Sequence, residues 1–492
     1  MGVNLMSIDR ISASSRGQHI LIAGVCLLSA VRVFVFCAAF PFFNNVDEAS
    51  HFDLVFKYSR GHLPAAQLEK FDPEAAKIIA SNGTGEYFGD QIDLSPEWIA
   101  DSSAFLGNEY NRETWAWPTY YIMAGLWCWF GKILGLTSGQ LLYWVRFLNV
   151  PIVVAFVWLS YLFSRRFFNE NSGLRFALPL IVAFFPQDIF FGITADVLSP
   201  LVFAATFFML LEIHLKEKSP LYYMFAGLLV AAAFLTKVSN IAIVPLAAVV
   251  VFVKLKQAFS QKLLRQYLPS LVVFAAASTV PVVLWLGRNY VLFGDLVGAA
   301  GAMKLRTWTI KPFSEMFNHP ILTPRGLGFF LTELTASFWR GEFVWGDQRM
   351  ISPLTDWFYV ILSAVLLAAS VLGLVFCKTE KQSPYRVALK AALFVFVFSV
   401  LFLAVISMRY DFGTCVYPSR ESPYFTSGRL IAGAILPFLF LYIDGLRRIL
   451  SKLHLAGGLI IIVGVIAVII TISEIVITWP VFSSPLNFFH FK

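Results

Sequence analysis

Eleven apolar runs of roughly membrane-crossing length lie along this chain, at 19–40, 141–163, 174–192, 197–214, 221–236, 239–254, 269–292, 356–377, 388–408, 428–446 and 455–479. A helix needs about 20 apolar residues to span the hydrocarbon of a bilayer, where no water is present to satisfy an open backbone. A chain with so many such runs has one class of solution, a bundle of membrane-crossing helices. The expected fold class is therefore an all-α polytopic membrane protein. Composition agrees: 58% of the residues are hydrophobic, 14% are charged, and the mean hydropathy is +0.71. Phe alone supplies 50 residues, which suits lipid-facing helices. No internal repeat, low-complexity tract or separate soluble domain is visible.

Charge orients the bundle. Short basic connections occur at Arg165-Arg166 with Arg175, at Lys216 and Lys218, at 254–265, at 378–390, and at Arg447-Arg448 with Lys452. Positive charge collects on the cytoplasmic side. All five connections join Arg10 and Arg16 there only if a further ambiguous run, 116–136, does not cross. Its Trp115, Trp117, Tyr120, Tyr121, Trp127 and Trp129 suit a helix in the outer interface. The expected topology thus has a cytoplasmic N-terminus and three outer segments, 41–140, 293–355 and 409–427. The first is acidic. The net charge of +8 reflects orientation, and nucleic acid is not an expected partner. The five cysteines have no metal-type spacing, and no Walker loop, HExxH or GxSxG is present.

Within the first outer segment, Asp47 and Glu48 lie just after the first span. An amphipathic helix is expected over about 46–60, laid along the membrane surface, with Asn44 or Asn45 as cap and Phe52, Val55 and Phe56 as its apolar stripe. Asp47 and His51, four apart, share a face. The two acids would complement the helix dipole, or they would do chemistry at a membrane surface. Asp196 begins one span on the expected outer side, and Lys237 ends another. Arg288 and Arg429 sit at further outer ends. Ionisable groups near hydrocarbon face a cavity or a partner, although Lys and Arg at span ends also snorkel to headgroups. Asp196 would pair with Lys237, orient a substrate, or share capping with Thr194. The run Trp339-Arg340-Gly341-Glu342-Phe343-Val344-Trp345-Gly346 offers aromatic faces to a sugar, or an interfacial belt.

The segment Val46-Asp47-Glu48-Ala49-Ser50-His51-Phe52, followed by Tyr58 and Leu63-Pro64, resembles the first-loop motif of GT-C glycosyltransferases. These are integral-membrane enzymes that use polyprenyl-phosphate sugars. The protein O-mannosyltransferase and aminoarabinose-transferase families are similar in layout. Further echoes are Pro118-Thr119-Tyr120-Tyr121, Ala195-Asp196-Val197-Leu198-Ser199-Pro200, Leu235-Thr236-Lys237, Arg288-Asn289-Tyr290 with Phe293-Gly294-Asp295, and Ser427-Gly428-Arg429-Leu430. Leu430 departs from the Tyr that many relatives carry after Gly-Arg. The resemblance implies a GT-C fold with juxtamembrane helices in a large first loop. It implies a GT-C-like module over 1–292, a second outer loop over 293–355 and C-terminal transmembrane helices over 356–492.

The implied activity is inverting transfer of a sugar from a polyprenyl-phosphate donor to a glycan, lipid or protein acceptor on the extracytoplasmic face. Asp47 would be the general base. Glu48, His51 and Asp196 would support it or meet the acceptor, and Arg288, Arg429 and Lys237 would hold the lipid phosphate. No cofactor is required by this chemistry; a divalent cation is compatible with the carboxylates, though adjacent helical residues rarely share one ion. The expected location is a bacterial inner membrane. The competing reading is a transporter or flippase of a lipid-linked glycan, whose charges would line a pathway. A polymerase or ligase acting on the same carrier lipid would normally have a larger late loop than 409–427.

Overall fold

A computed structural model describes residues 15–43, 47–83, 95–168, 172–345, 348–376 and 383–484. In chain order its helices are α1 (Ser15–Ala39), α2 (Glu48–Ser59), α3 (Pro73–Asn82), α4 (Pro96–Asn108), α5 (Pro118–Ile133), α6 (Ser138–Phe147), α7 (Asn149–Phe167), α8 (Ser172–Ala183) and α9 (Ser199–Leu215). They continue with α10 (Pro220–Thr236), α11 (Ile243–Ser260), α12 (Leu264–Phe293), α13 (Ala300–Leu305), α14 (Pro324–Arg340), α15 (Pro353–Phe376), α16 (Pro384–Arg409), α17 (Ile435–Lys452) and α18 (Leu459–Phe482). Many starts are written in the sequence as a capping side chain followed by Pro: Asp72, Ser95, Ser219, Thr323 and Ser383 each accept from a backbone N–H of the first turn. Pro fits there because its missing N–H would have had no helical partner.

Among the described residues, nine helices are long and apolar enough to cross a membrane, and Gly173–Ala183 and Pro220–Thr236 are shorter apolar helices. Together they coincide with the eleven runs read from the sequence. The helix from Gly428 to Lys452 is the most enclosed, with 89% of its apolar window buried, against 17% for Leu264–Phe293. Arg429 therefore enters the middle of the bundle, while Arg288 rides on an outer helix. The run 116–136 forms the 16-residue α5, outside the set of membrane-length helices. It packs on α2, where a side chain at Gly125 would meet the Tyr58 Cβ at 2.7 Å. Its other face, Ile122, Leu126, Trp129 and Ile133, is exposed.

Two elements differ from expectation. The run 174–192 does not stay helical: α8 ends at Ala183, and residues 184–194 form a loop with one 3-10 turn at Asp188–Phe190. Pro186 explains the break, because it disfavours helix at the preceding residue and clashes inside a turn. Gln187 Nε2 donates to the Phe338 carbonyl at 2.8 Å, and Asn149 Nδ2 donates to Gly192 O at 2.8 Å. The second difference is α2, which is not a surface helix. Phe52, Val55 and Phe56 are fully buried as expected, but so are Glu48, His51, Asp53 and Lys57 on its polar faces. The suggested caps Asn44 and Asn45 lie outside the described residues.

Those polar faces are matched group by group. Asp53 accepts from Asn111 Nδ2 and from the Asp72 N–H, both at 2.7 Å, and its carboxylate lies 2.9 Å from Lys57 Nζ. These bonds join α2 to the two-stranded pairing of β1 (Glu69–Lys70) with β2 (Tyr110–Asn111). The later loops are tied similarly, β3 (Thr309–Ile310) to β6 (Tyr410–Asp411), with β4 (Val344–Trp345) and β5 (Gln348–Arg349) forming a hairpin.

The tightest tie is between Glu48 and Arg146, a residue that sequence reading left inside a span. Both side chains are almost fully enclosed, and the guanidinium binds the carboxylate in two bonds of 2.7 Å. Arg146 also donates to the carbonyls of Cys37, Phe40 and Pro41, while Glu48 accepts from the N–H groups of Phe43 and Ile193. Removing one partner strands a charge in the interior. Glu48→Gln is expected to cost about 3–5 kcal/mol of stability, read as a lowered unfolding temperature in detergent. A Glu48→Leu/Arg146→Met double variant is expected to lose less than Glu48→Gln alone; an equal or larger loss would show that charge pairing is not what matters.

Candidate active site

Helix ends from across the sequence meet at one place. The residue before α2 contributes Asp47, the 184–194 loop contributes Asp188, and the turn before α9 contributes Asp196. The end of α10 contributes Lys237, the connection between α14 and β4 contributes Glu342, and the start of the Gly428–Lys452 helix contributes Arg429. Two glycines permit this approach. A side chain at Gly428 would lie 2.1 Å from the Phe338 nitrogen, and one at Gly341, whose φ is +76°, would lie 2.5 Å from Asp188 Oδ1.

Asp47 occupies the N-cap position of α2 with φ 66° and makes no side-chain capping bond. A left-handed non-glycine residue is uncommon. Its carboxylate, 29% exposed, is thus not spent on the helix; it faces Arg429 Nη2 at 3.4 Å. Burial alone would raise the Asp47 pKa, but Arg429, His51 and Arg306 outweigh it and hold the carboxyl below its ordinary value. Arg429 is in turn 3.7 Å from Glu342 through Nε, a nitrogen that is buried with no hydrogen-bond partner. Glu342 accepts the Ser427 hydroxyl at 2.5 Å.

The remaining expected residues divide. Glu48 turns inward to Arg146, so the adjacent acids serve different partners and do not share a cation. Among the described residues no three His, Cys, Asp or Glu side chains are placed to hold a metal ion. His51 Nδ1 bonds the Tyr121 hydroxyl at 2.6 Å. Asp196 is ion-paired with Lys237, and Thr194 caps the 3-10 turn that carries it. Lys237 is therefore occupied by a carboxylate. Arg288 stands elsewhere: it donates to Pro64 O and Asn289 Oδ1 and lies 4.8 Å over the Trp285 ring. A further arginine acting on Asp47, beside Arg429 and His51, is Arg306, which also pairs with Glu113 at 2.9 Å. Trp339 is not a sugar platform. It is buried, stacked on Tyr359 at 5.1 Å, with its N–H on Ser363.

Asp188 was hidden inside the apolar run 174–192; Pro186 was the signal. It is 1% exposed, its Oδ1 has no hydrogen-bond partner, and Oδ2 accepts the Glu342 N–H at 3.2 Å. Burial pushes its pKa up to about 6, assisted by Glu342 and opposed by Arg429. A carboxyl with a folded pKa above its unfolded one binds its proton more tightly in the fold, so its contribution to stability is greatest at low pH and falls as pH rises from about 4 to about 6. Asp188→Asn is therefore expected to be more stable than the parent at pH 7.5, by on the order of 2 kcal/mol, with the difference disappearing at pH 4. Thermal unfolding at both values checks this; a gain that is independent of pH would assign it to packing.

Residues 122–285 match the sequence model of the dolichyl-phosphate-mannose-protein mannosyltransferase family. No curated protein sequence matches the chain. A solved structure, the Archaeoglobus fulgidus oligosaccharyltransferase in complex with Zn and sulfate, aligns at 13% identity with a TM-score of 0.45. That alignment covers 92% of this chain and 52% of the archaeal one, so the chain spans about half the length of that enzyme. The matched family segment runs from α5 to α12 and contains Asp188, Asp196 and Lys237. Over that segment, a third of the chain, the protein is similar to this mannosyltransferase family.

Proposed function

We propose that this chain transfers a sugar from a polyprenyl-phosphate donor to a hydroxyl acceptor on the extracytoplasmic face, with inversion and with Asp47 as general base. The observation that carries this reading is the Asp47–Arg429 pair: a partly exposed carboxylate, not used as a cap, facing a guanidinium with an unpartnered N–H. In a single displacement the acceptor oxygen attacks the anomeric carbon as its proton passes to Asp47. The bond from that carbon to the phosphate oxygen breaks, and the electron pair leaves on the phosphate. Arg429 supplies N–H donors and positive charge where that pair arrives, which is where electrostatic help is worth most. No nucleotide pocket is needed, because the carrier lipid stands in its place.

Arg429 keeps Asp47 ionised, and so ready to accept a proton, across the neutral range. As the phosphate gathers charge it competes for the guanidinium and returns basicity to Asp47. Arg288, which donates to Pro64 O and Asn289 Oδ1, is a further contact to the lipid phosphate on this reading. His51, through Tyr121, fixes the wall beside Asp47.

Purified protein assayed with a polyprenyl-phosphate sugar tests the reading. Asp47→Asn keeps the shape and is expected to lower transfer by about 10²–10⁴-fold with unchanged unfolding temperature. Full transfer by a well-folded Asp47→Asn would remove Asp47 from the role of base. Arg429→Lys keeps the charge but not the fork and is expected to raise the donor KM and lower kcat, because a guanidinium and an ammonium do not present the same donors.

A further inference from the structure

The two arginines at the ends of the Asp47-Glu48 dipeptide are held very differently. Arg146 makes two 2.7 Å bonds to Glu48 and three more to carbonyls. Arg429 Nη2 stands 3.4 Å from Asp47 and its neighbouring Nε 3.7 Å from Glu342, both longer than the 2.7–2.9 Å typical of a charge-assisted bond. Its Nε, aimed at Glu342, has no hydrogen-bond partner. Left with Asp47 alone, a guanidinium would close onto that carboxylate in a two-bond fork. A second carboxylate, Glu342, competes for the same edge of the guanidinium. Glu342 is itself fixed, by the Ser427 hydroxyl at 2.5 Å and by its own N–H on Asp188 Oδ2.

Resting on the reading of Asp47 as base and Arg429 as the phosphate contact, we propose that Glu342 is a positioning residue of this site. Its carboxylate competes with Asp47 for the adjacent Nε and Nη2 of Arg429, so that neither acid closes a two-bond fork and the guanidinium turns to the donor phosphate without first breaking a tight ion pair. Every charged group around the pair enters this balance. Arg429 feels Asp47, Asp196, Glu342 and Asp188, and also Lys237; Asp47 feels Arg429, His51 and Arg306. Of these, Asp47 and Glu342 are the acids within ion-pair reach of Arg429, at 3.4 Å and 3.7 Å. Asp188 helps by anchoring the Glu342 backbone, and Gly341, by lacking a side chain, lets that anchor form.

Steady-state transfer from a polyprenyl-phosphate sugar donor by the full-length purified protein, followed between pH 4 and pH 8, tests the proposal. Glu342→Gln keeps the acceptor for Ser427 but removes the charge, so Arg429 settles on Asp47. Its kcat is expected to fall about 10-fold with donor KM changed less than about 2-fold, and the acid limb of kcat is expected to move to lower pH. Glu342→Asp is expected to restore part of the kcat. Ser427→Ala leaves every charge in place but frees Glu342, and is expected to shift kcat and limb the same way by about 2–3-fold; it carries the test if Glu342→Gln does not fold. Parental kcat and an unmoved acid limb in the folded variants overturn the proposal. So does a loss of kcat with an unmoved limb and no recovery in Glu342→Asp, which would mark Glu342 as structural. Asp47→Asn separates the two levels. If it retains full transfer, the base assignment fails whatever Glu342 does. If it loses transfer while Glu342→Gln and Ser427→Ala behave as the parent, the positioning role alone fails.

Discussion

The Glu48–Arg146 pair is the constraint on which the rest of this structure depends. Arg146 gathers the carbonyls left open at the end of α1 and fixes the corner into α2. Glu48 takes the N–H of Phe43 on one side and of Ile193 on the other. One ion pair therefore sets three things: where the first membrane helix stops, how α2 enters, and how near the 184–194 loop lies to both. Buried pairs of this kind often contribute little net stability over an apolar substitute. Their value lies in geometry, since a bidentate fork tolerates little displacement. Because Glu48 cannot turn away, its neighbour Asp47 is held in a left-handed conformation with its carboxylate directed at Arg429.

This division explains what was legible in the sequence and what was not. The spans were legible because hydrocarbon imposes a length and a composition on any helix crossing it. The position of Asp47 after the first span followed from the same reading. Arg146 was not legible as a structural partner, since a lone cation inside an apolar run reads as a span end. Nor was the burial of α2: its polar residues His51, Asp53 and Lys57 look solvent-directed until the first loop folds back and supplies Tyr121, Asn111 and the Lys70 carbonyl. Asp188 fell inside an apolar run that Pro186 interrupts. Glu342 lay beside Trp339 and Trp345, and the aromatic residues drew the attention. Pairings across such distances in sequence are set by tertiary packing, which local periodicity does not encode.

The acids around Arg429 also bear on how binding and chemistry are separated in the proposed reaction. A glycosyl phosphodiester carries one negative charge; the polyprenyl phosphate that leaves carries nearly two at neutral pH. A site with fully free cations would hold the donor tightly before reaction and gain little more at the transition state. Here Asp47, Glu342, Asp188 and Asp196 already offset Arg429 and Lys237, so the pull on a singly charged donor is modest. On the proposed reading, as the second charge develops the guanidinium would gain more from the phosphate than from either carboxylate, and the balance would tip at that moment. Only interactions stronger in the transition state than in the ground state accelerate a chemical step. Because the same proposed movement would withdraw Arg429 from Asp47, the carboxylate would become more basic as the acceptor hydroxyl surrenders its proton. Base strength and leaving-group stabilisation are then two readings of one displaced guanidinium, and an arginine held as tightly as Arg146 could supply neither.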